Sequence, residues 1–320
     1  MKQFGNIIIG LIMGLLFLSF AMAQPKIDIQ KASEIFKETK ALCLKDNGLL
    51  WGRSLNVPLI FVDPNTRMIV SNSADKSGIL SLQKDVFVGY MPEQIQITKG
   101  TIQLGGKRYA ILPWPLPSNT EERQLQIIHE AFHCLQPELN LQPQPYHNGH
   151  MDQMEARLWL KLEWEALEKA VRSKAQERKQ AITDAVLFRI YRRALYKASE
   201  EYENRFEIHE GMAEYTAQKI CSTKTDLKVY LTKSLKILWK AESFVNNFAY
   251  CSGPLYGFLL DASGIEWRNQ LSAKDDLARI TQKAYNITLP KDIYLEAEER
   301  SVRYRGALIM GEELDREAEL

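Results

Sequence analysis

The residues most able to do chemistry stand in the segment HEAFH, which places His129, Glu130 and His133 in an H-E-x-x-H pattern. Residues four apart lie one above the other on a helix, so the two imidazoles can converge on one metal ion at about 2.0–2.1 Å. Glu130 lies close enough to that helical face to reach a water beside the ion. The pattern therefore predicts a zinc (Zn2+) site carried by a helix.

A third ligand must come from elsewhere, since catalytic zinc sites use three protein ligands and keep one position for water. No third histidine follows at the short spacing that metzincins use. Further along, the predicted helical segment IHEGMAEY offers Glu210 and Glu214, which are four apart and share a face. One can bind metal while the other accepts a ring N–H from a ligand histidine. Gly211, costly in a helix by about 1 kcal/mol relative to alanine, indicates close approach of another backbone or of the site.

HEAFH followed on a later helix by HEGMAEY resembles the gluzincin branch of zinc metallopeptidases, in which a downstream E-[GA]-x-[AS]-[ED] segment supplies the third ligand. The resemblance implies that zinc is bound by His129, His133 and Glu210. It also makes Glu130 the general base and Glu214 the residue that orients a histidine. Between His133 and Glu210 stand 76 residues, 134–209, more than in compact members. The resemblance therefore implies a long helical-arm insertion between the motif helices.

Two assignments have alternatives, the third ligand and the donor to the oxyanion. His209 is the competing third ligand, but it points about 100° away from Glu210 on a helix, and Glu210 is favoured because Glu214 falls on the same stripe. Gluzincins commonly place a tyrosine or histidine where it donates to the oxyanion. By that resemblance Tyr250 is the first candidate and Tyr256 the second, against the alternative that both are simply packed.

His147 and His150 lie in a proline-rich loop. One interpretation is a polar loop before the next helix, with Asp152 near the start of that helix. The other is a rim of the cleft that supplies a proton donor to the transition state.

Hydrophobic periodicity predicts the elements that must position these residues. Short β-type runs at 58–62, 67–70, 85–88, 101–104 and 108–112 follow a first helix, 24–47. The predicted helices after them are 120–136, 151–177, 179–221, 225–243, 250–262, 265–285 and 290–315. We expect an α+β fold: a small, mainly antiparallel sheet in 24–118, then a mostly helical zincin-like region in 119–320, together one catalytic unit. The charged segment 158–179 is expected to be a solvated antiparallel arm.

Composition excludes several classes of protein. The 320 residues include 41 Lys and Arg against 40 Asp and Glu, and 45% are hydrophobic. Such a chain is too apolar for a disordered polymer and too neutral to bind nucleic acid through bulk charge. The four cysteines, Cys43, Cys134, Cys221 and Cys251, allow three disulfide pairings or free buried thiols.

An apolar run, residues 7–20, precedes Ala21-Met22-Ala23 and predicts a signal peptide, 1–23, cleaved after Ala23. The alternative is an uncleaved anchor, although this run of 14 residues is shorter than the roughly 20 that a membrane span needs. We expect a protein that is exported, periplasmic or secreted, and free of the membrane after cleavage.

The expected function is zinc-dependent hydrolysis of a peptide or protein substrate, with the strand segment Tyr109 to Leu112 as the edge to which an extended substrate adds. The alternative is a non-catalytic exported protein, either a zinc-stabilised interaction module or a degenerate peptidase. A third interpretation, hydrolysis of a non-peptide amide, differs only in substrate.

Overall fold

The fold is a six-stranded sheet followed by a large helical region, seen in a computed structural model that describes residues 27–221 and 233–319. The predicted signal peptide lies outside the described residues. The strands are β1 Leu59–Val62, β2 Met68–Ser71, β3 Ser81–Gln83, β4 Val86–Tyr90, β5 Gly100–Leu104 and β6 Lys107–Pro113. The α+β class expected from the sequence is confirmed.

The helices are α1 Ile29–Asp46, α2 Thr120–Leu135, α3 Met154–Arg172, α4 Ala175–Ala194, α5 Ser199–Phe206, α6 Met212–Cys221, α7 (residues 233–239 of those described), α8 Ala249–Ser263, α9 Leu277–Ala284, α10 Ile293–Ser301 and α11 Gly306–Glu319. A π-helix, Glu207–Gly211, joins α5 to α6. Short 3-10 turns occupy Gln136–Leu139, Gly149–Asp152, Arg268–Gln270 and Val302–Tyr304.

The sheet has the order β3-β4-β2-β1-β6-β5, and only the β1–β6 pair is parallel. All four residues of β1 are buried because side chains cover both faces of the sheet. On one face, Phe61 and Ala110 pack with residues of α1 and α2, including Phe36 and Ile127. The predicted mainly antiparallel sheet is therefore confirmed, with α2 laid directly on it.

Two details of the sheet differ from the sequence prediction. Strand β3 was not expected, because its three residues are all exposed and show no apolar alternation. The assignment of Tyr109 to Leu112 as the substrate edge is wrong, since β6 pairs with β1 on one side and β5 on the other. The outer strand at this end of the sheet is β5.

The segment 158–179 is solvated only toward its end, whereas the prediction made all of it a solvated arm: residues 158–170 are mostly buried, and 172 and 174–177 are exposed. Helices α3 and α4 pack against each other, and Arg157, Lys161 and Glu163 of α3 are buried. Their charges are neutralised by partners that are distant in sequence, such as Glu313 for Arg157 and Arg192 for Glu163. The insertion between the two motifs is thus part of the protein core.

Several predicted helices are shorter than expected. The predicted helix 179–221 is interrupted where Ala198 adopts a left-handed conformation, with φ of 62°. The predicted helix 265–285 begins only at α9, where the Asp276 side chain accepts hydrogen bonds from the amides of Ala278 and Arg279. Arg305, with φ of 60°, divides the predicted helix 290–315 into α10 and α11. The predicted helix 225–243 lies partly outside the described residues.

Two further features of the described residues concern membrane spans and cysteines. None of the helices in the described ranges combines the length and hydropathy that a bilayer crossing requires. All four cysteines are free thiols, and Cys43, Cys134 and Cys251 are buried.

Candidate metal centre

Helix α2 carries the H-E-x-x-H residues and is held from two sides. It begins at an N-cap, Asn119, whose side chain accepts a hydrogen bond from the amide of Glu122. One face packs on the sheet through Ile127 and Ala131, while Ile128 and Phe132 join the core of the helical region. This fixed position directs His129 and His133 toward the segment that contains Glu210.

That segment is the π-helix, and a glycine contact brings it close to α8. A Cβ atom on Gly211 would lie 2.9 Å from Gly253 Cα, which is closer than real Cβ atoms come. The close backbone approach inferred from Gly211 is thus observed. Short π-helical segments inside α-helices are rare and are frequently found at functional sites. The close crossing with α8 fixes the backbone that carries Glu210.

The side chains of His129, His133 and Glu210 converge, as the sequence analysis expected. The two Nε2 atoms are 3.0 Å apart, and Glu210 Oε2 lies 3.3 Å from His129 Nε2 and 3.4 Å from His133 Nε2. Ligands bound tetrahedrally at 2.0–2.1 Å stand about 3.3 Å from one another. The donor set and its spacing therefore fit a zinc ion.

The electrostatics of this group favour a bound positive charge. Burial opposes protonation of His129, but hydrogen bonds to Glu210 and Glu214 outweigh it and raise the pKa of His129 to about 10. Burial likewise opposes ionisation of Glu210, yet hydrogen bonds from His129, His133 and His209 hold the pKa of this carboxyl well below its usual range. A carboxylate held ionised beside two imidazoles suits a cation, either a proton or a metal ion.

The two glutamates on the expected stripe contact opposite nitrogens of one imidazole. Glu210 Oε2 faces His129 Nε2, and Glu214 Oε2 lies 3.2 Å from His129 Nδ1. Gln218 Nε2 in turn donates to Glu214 Oε1 at 3.0 Å. Glu214 thus occupies the orienting position expected from the sequence, because a hydrogen bond at Nδ1 fixes the tautomer and ring orientation of His129.

Gln136 holds the second histidine and was missed by the sequence analysis. Its Oε1 lies 2.8 Å from His133 Nδ1, and its Nε2 donates to the carbonyl oxygen of His209 at 2.8 Å. Gln136 is fully buried and therefore links the end of α2 to the π-helix. The available signal was its spacing, three residues after His133 on the same helical face.

Tyr250, the first oxyanion candidate, lies at the site. Its hydroxyl donates to Glu210 Oε2 at 2.6 Å, and its ring stacks on that of His129 with centroids 5.5 Å apart. The second candidate, Tyr256, is excluded from the site, since it is fully buried and donates to Glu163 at 3.0 Å. Of the two tyrosines, only Tyr250 can reach a bound substrate.

The three remaining histidines do not complete the ligand set. His209 Nδ1 lies 3.0 Å from Glu210 Oε1, whereas His129 and His133 face the other oxygen, Oε2. His150 Nε2 lies 2.9 Å from the buried carboxylate of Glu203, and neither His147 nor His150 lines the cleft around the site. The interpretation of the 147–150 loop as a catalytic rim is therefore wrong, because Glu203 holds His150 elsewhere.

Glu130 opens onto a cleft of about 900 Å³ that also exposes His129, His133, Glu210 and Tyr250. Strand β5 and the face of α2 form its walls, and α7 adds Lys233, Ser234 and Ile237. Among the described residues, no hydrogen bond or ion pair to the Glu130 carboxylate is found, whereas Glu210 and Glu214 are both held. Of the three glutamates at the metal site, Glu130 is thus the one whose carboxylate has no partner among the described residues, and it faces the cleft.

The site therefore combines three convergent metal-ligating atoms, supporting hydrogen bonds to both histidines, and a carboxylate beside them in an open cleft. Comparison of the chain with profiles of known families, with curated proteins and with solved structures finds no match.

Proposed function

We propose that this protein is a zinc-dependent hydrolase of peptide bonds. The observation that carries the proposal is the position of Glu210 Oε2, 3.3 and 3.4 Å from the two imidazole nitrogens of the H-E-x-x-H helix. Two histidines and a glutamate beside an open cleft are the donor set of catalytic zinc sites, whereas structural sites are closed by four protein ligands.

In this proposal His129, His133 and Glu210 hold the zinc. The ion would supply Lewis-acid polarisation of the scissile carbonyl and a water whose pKa is lowered to about 7. Glu214 and Gln136 keep the two imidazoles in the orientation that leaves each Nε2 free to bind.

Glu130 acts as the general base. Its carboxylate accepts a proton from the attacking water as the water oxygen bonds to the scissile carbonyl carbon. The carbon–nitrogen bond then breaks, and Glu130 returns the proton to the leaving amine, so that the products are a carboxylic acid and an amine. The lack of a hydrogen-bond partner for Glu130 among the described residues suits this exchange, since no bond must be broken first.

Tyr250 is the donor to the carbonyl oxygen as it gains negative charge. Burial, and then the charge of Glu210, raise the pKa of Tyr250 above its usual range, so the hydroxyl keeps its proton at neutral pH. The hydroxyl donates to Glu210 Oε2 in the structure, so in this proposal its hydrogen bond passes to the carbonyl oxygen as that oxygen gains charge, which stabilises the transition state.

An extended substrate would add to β5. This strand is the outer strand at its end of the sheet, and Gly100 and Thr101 line the cleft. Backbone hydrogen bonds to a sheet edge orient a peptide without reading its sequence. We therefore propose β5 as the strand to which substrate adds, in place of β6, which was expected from the sequence. We also propose that the protein is exported, on the basis of the predicted signal peptide, 1–23.

The test compares zinc content and hydrolysis of a broad peptide library by the mature protein and by Glu130→Gln. We expect the variant to keep its zinc and to lose activity by at least about 10²-fold. Glu34→Gln makes the same chemical change at an exposed position on α1 and should retain both. Wild-type protein that binds zinc and cleaves no peptide would contradict the catalytic proposal and favour the zinc-stabilised interaction module.

A further inference from the structure

We propose that Arg108 recognises a carboxylate of the substrate, so that the cleft selects peptides bearing a negative charge beside the metal centre. The inference rests on the proposed function and names the class of substrate. The carboxylate has two possible sources, a free peptide C-terminus or an aspartate or glutamate side chain.

The position of Arg108 follows from the sheet. It lies near the start of β6, where it pairs with Gln103 of the outer strand β5. Its side chain lines the cleft that exposes His129 and His133. Arg108 therefore faces the same space as the metal-ligating residues.

Arg108 differs from the other half-buried and buried arginines among the described residues in having neither an ion pair nor a hydrogen-bonded partner. Arg157, Arg189 and Arg192 each form ion pairs with buried glutamates. Arg108 is half-buried, and among the described residues no hydrogen bond or ion pair to its guanidinium is found. Removing a guanidinium from water is costly unless it is paired, and its planar fork matches a carboxylate in a bidentate fashion. A substrate carboxylate would supply the missing partner.

The charged residues of the cleft outside the metal site have both signs. Lys99 and Lys233 add positive charge to the lining. The acidic residues outside the metal site, Glu121 and Glu122, lie in the first turn of α2, and Glu122 is about 18 Å along the helix axis from Cys134. The positive side chains of the lining, Arg108 among them, thus face carboxylates at the metal site and at the start of α2.

Binding to zinc-loaded Glu130→Gln protein tests the proposal without turnover. The probes are four pools of N-acetylated hexapeptides whose residues are uncharged, apart from the glutamate of one pool. Two pools have identical sequences and end either in a free carboxylate or in a carboxamide. The other two are amidated and carry either glutamate or glutamine at one central position. Dissociation constants are measured in the Glu130→Gln protein alone and combined with Arg108→Gln, Arg108→Lys or Lys107→Gln.

We expect one carboxylate pool to bind about tenfold more tightly than its neutral partner, and the pair that shows the preference identifies the source. Arg108→Gln should abolish the preference, and Arg108→Lys should keep only part of it, since an ammonium lacks the fork. Lys107→Gln, the control on the same strand, should keep it, because Lys107 contacts Ser73 and Tyr109 outside the cleft.

Equal affinity for both members of each pair, absence of binding, or a preference that survives Arg108→Gln would overturn the proposal. Its failure is distinguishable from failure of the proposed function. Wild-type protein that hydrolyses charged and neutral peptides equally would be a peptidase without this selectivity. Wild-type protein that shows the Arg108-dependent preference but hydrolyses nothing would be a carboxylate-binding protein without the proposed catalysis.

Discussion

The hydroxyl of Tyr250 lies 2.6 Å from Glu210 Oε2, the same carboxylate oxygen that faces both imidazole nitrogens of the H-E-x-x-H helix. The Tyr250 ring also stacks on His129, with an angle of 6° between the ring planes. One side chain from α8 therefore contacts two of the three candidate ligands. In the proposed mechanism this hydroxyl is the donor to the carbonyl oxygen of the substrate.

Tyr250→Phe removes this donor and keeps the ring. We expect kcat to fall by about 10²-fold or more, because loss of one transition-state donor has an effect of that size, while zinc content stays at the wild-type level. Steady-state kinetics and metal analysis check both. Tyr256→Phe is the control on the same helix and should leave kcat unchanged, since Tyr256 contacts Glu163 in the core. A Tyr250→Phe enzyme with wild-type kcat would remove Tyr250 from the mechanism.

Gln136→Leu should weaken zinc binding. The substitution removes the partner of His133 Nδ1 and the side-chain hydrogen bond to the His209 carbonyl oxygen. Loss of such a supporting hydrogen bond typically lowers metal affinity by 10–100-fold. Competition with a chelator measures the change. Gln124→Leu alters another buried glutamine of α2, one that contacts Thr39, and should leave zinc affinity unchanged. Equal affinities of the two variants would contradict the role of Gln136.

Gly253→Ala should destabilise the protein by about 1–3 kcal/mol, the usual effect of overpacking. The added Cβ would lie 2.4 Å from Gly211 Cα, so the π-helix and α8 must separate. Urea unfolding measures the loss of stability, and zinc affinity should fall with it because Glu210 shifts. Gly311→Ala is the control: its Cβ meets no atom within 4 Å in α11, and it should be neutral or stabilising by up to about 1 kcal/mol. Unchanged stability of Gly253→Ala would refute the close crossing.

Acid should weaken the helical core through Glu203. Although burial opposes it, Arg192 and Arg193 hold the pKa of Glu203 well below its usual range. A lowered pKa stabilises the folded state above the unfolded-state pKa of about 4.3, and this stability is lost as pH falls toward the folded-state pKa. Glu203→Gln should therefore lower the free energy of unfolding at pH 7 by about 3 kcal/mol.

Below about pH 4.3 the difference between wild type and Glu203→Gln should shrink by up to about 1.4 kcal/mol per pH unit. Denaturant unfolding between pH 7 and pH 3 measures it. Glu201→Gln changes an exposed glutamate of the same helix, paired only with Arg205 among the described residues, and should have little effect at any pH. A Glu203→Gln difference that is constant with pH would show that the carboxylate is not held ionised.

The parts of the site that could be predicted from the sequence depend on local periodicity. His129 and His133, like Glu210 and Glu214, are four apart and share helical faces whatever the rest of the chain does. Most strands were predictable for a similar reason, since their apolar runs are bounded by turn residues.

The remaining features depend on contacts between distant segments. Strand β5, and not β6, is the outer strand because β6 also pairs in parallel with β1. The hairpin pattern of β5 and β6 does not indicate that parallel pair. Helix α3 is buried despite its charges because arginines of α4 neutralise Glu163. The role of Gln136 depends on a carbonyl oxygen of the π-helix 73 residues away.

The most direct test is zinc content after metal loading and removal of excess ion, measured for wild type, Glu210→Ala and His209→Ala. The account predicts one zinc per chain in wild type and in His209→Ala, and a large loss of zinc in Glu210→Ala. Wild-type protein that retains no zinc would contradict the metal centre itself. Loss of zinc in His209→Ala with retention in Glu210→Ala would assign the third ligand to His209 instead.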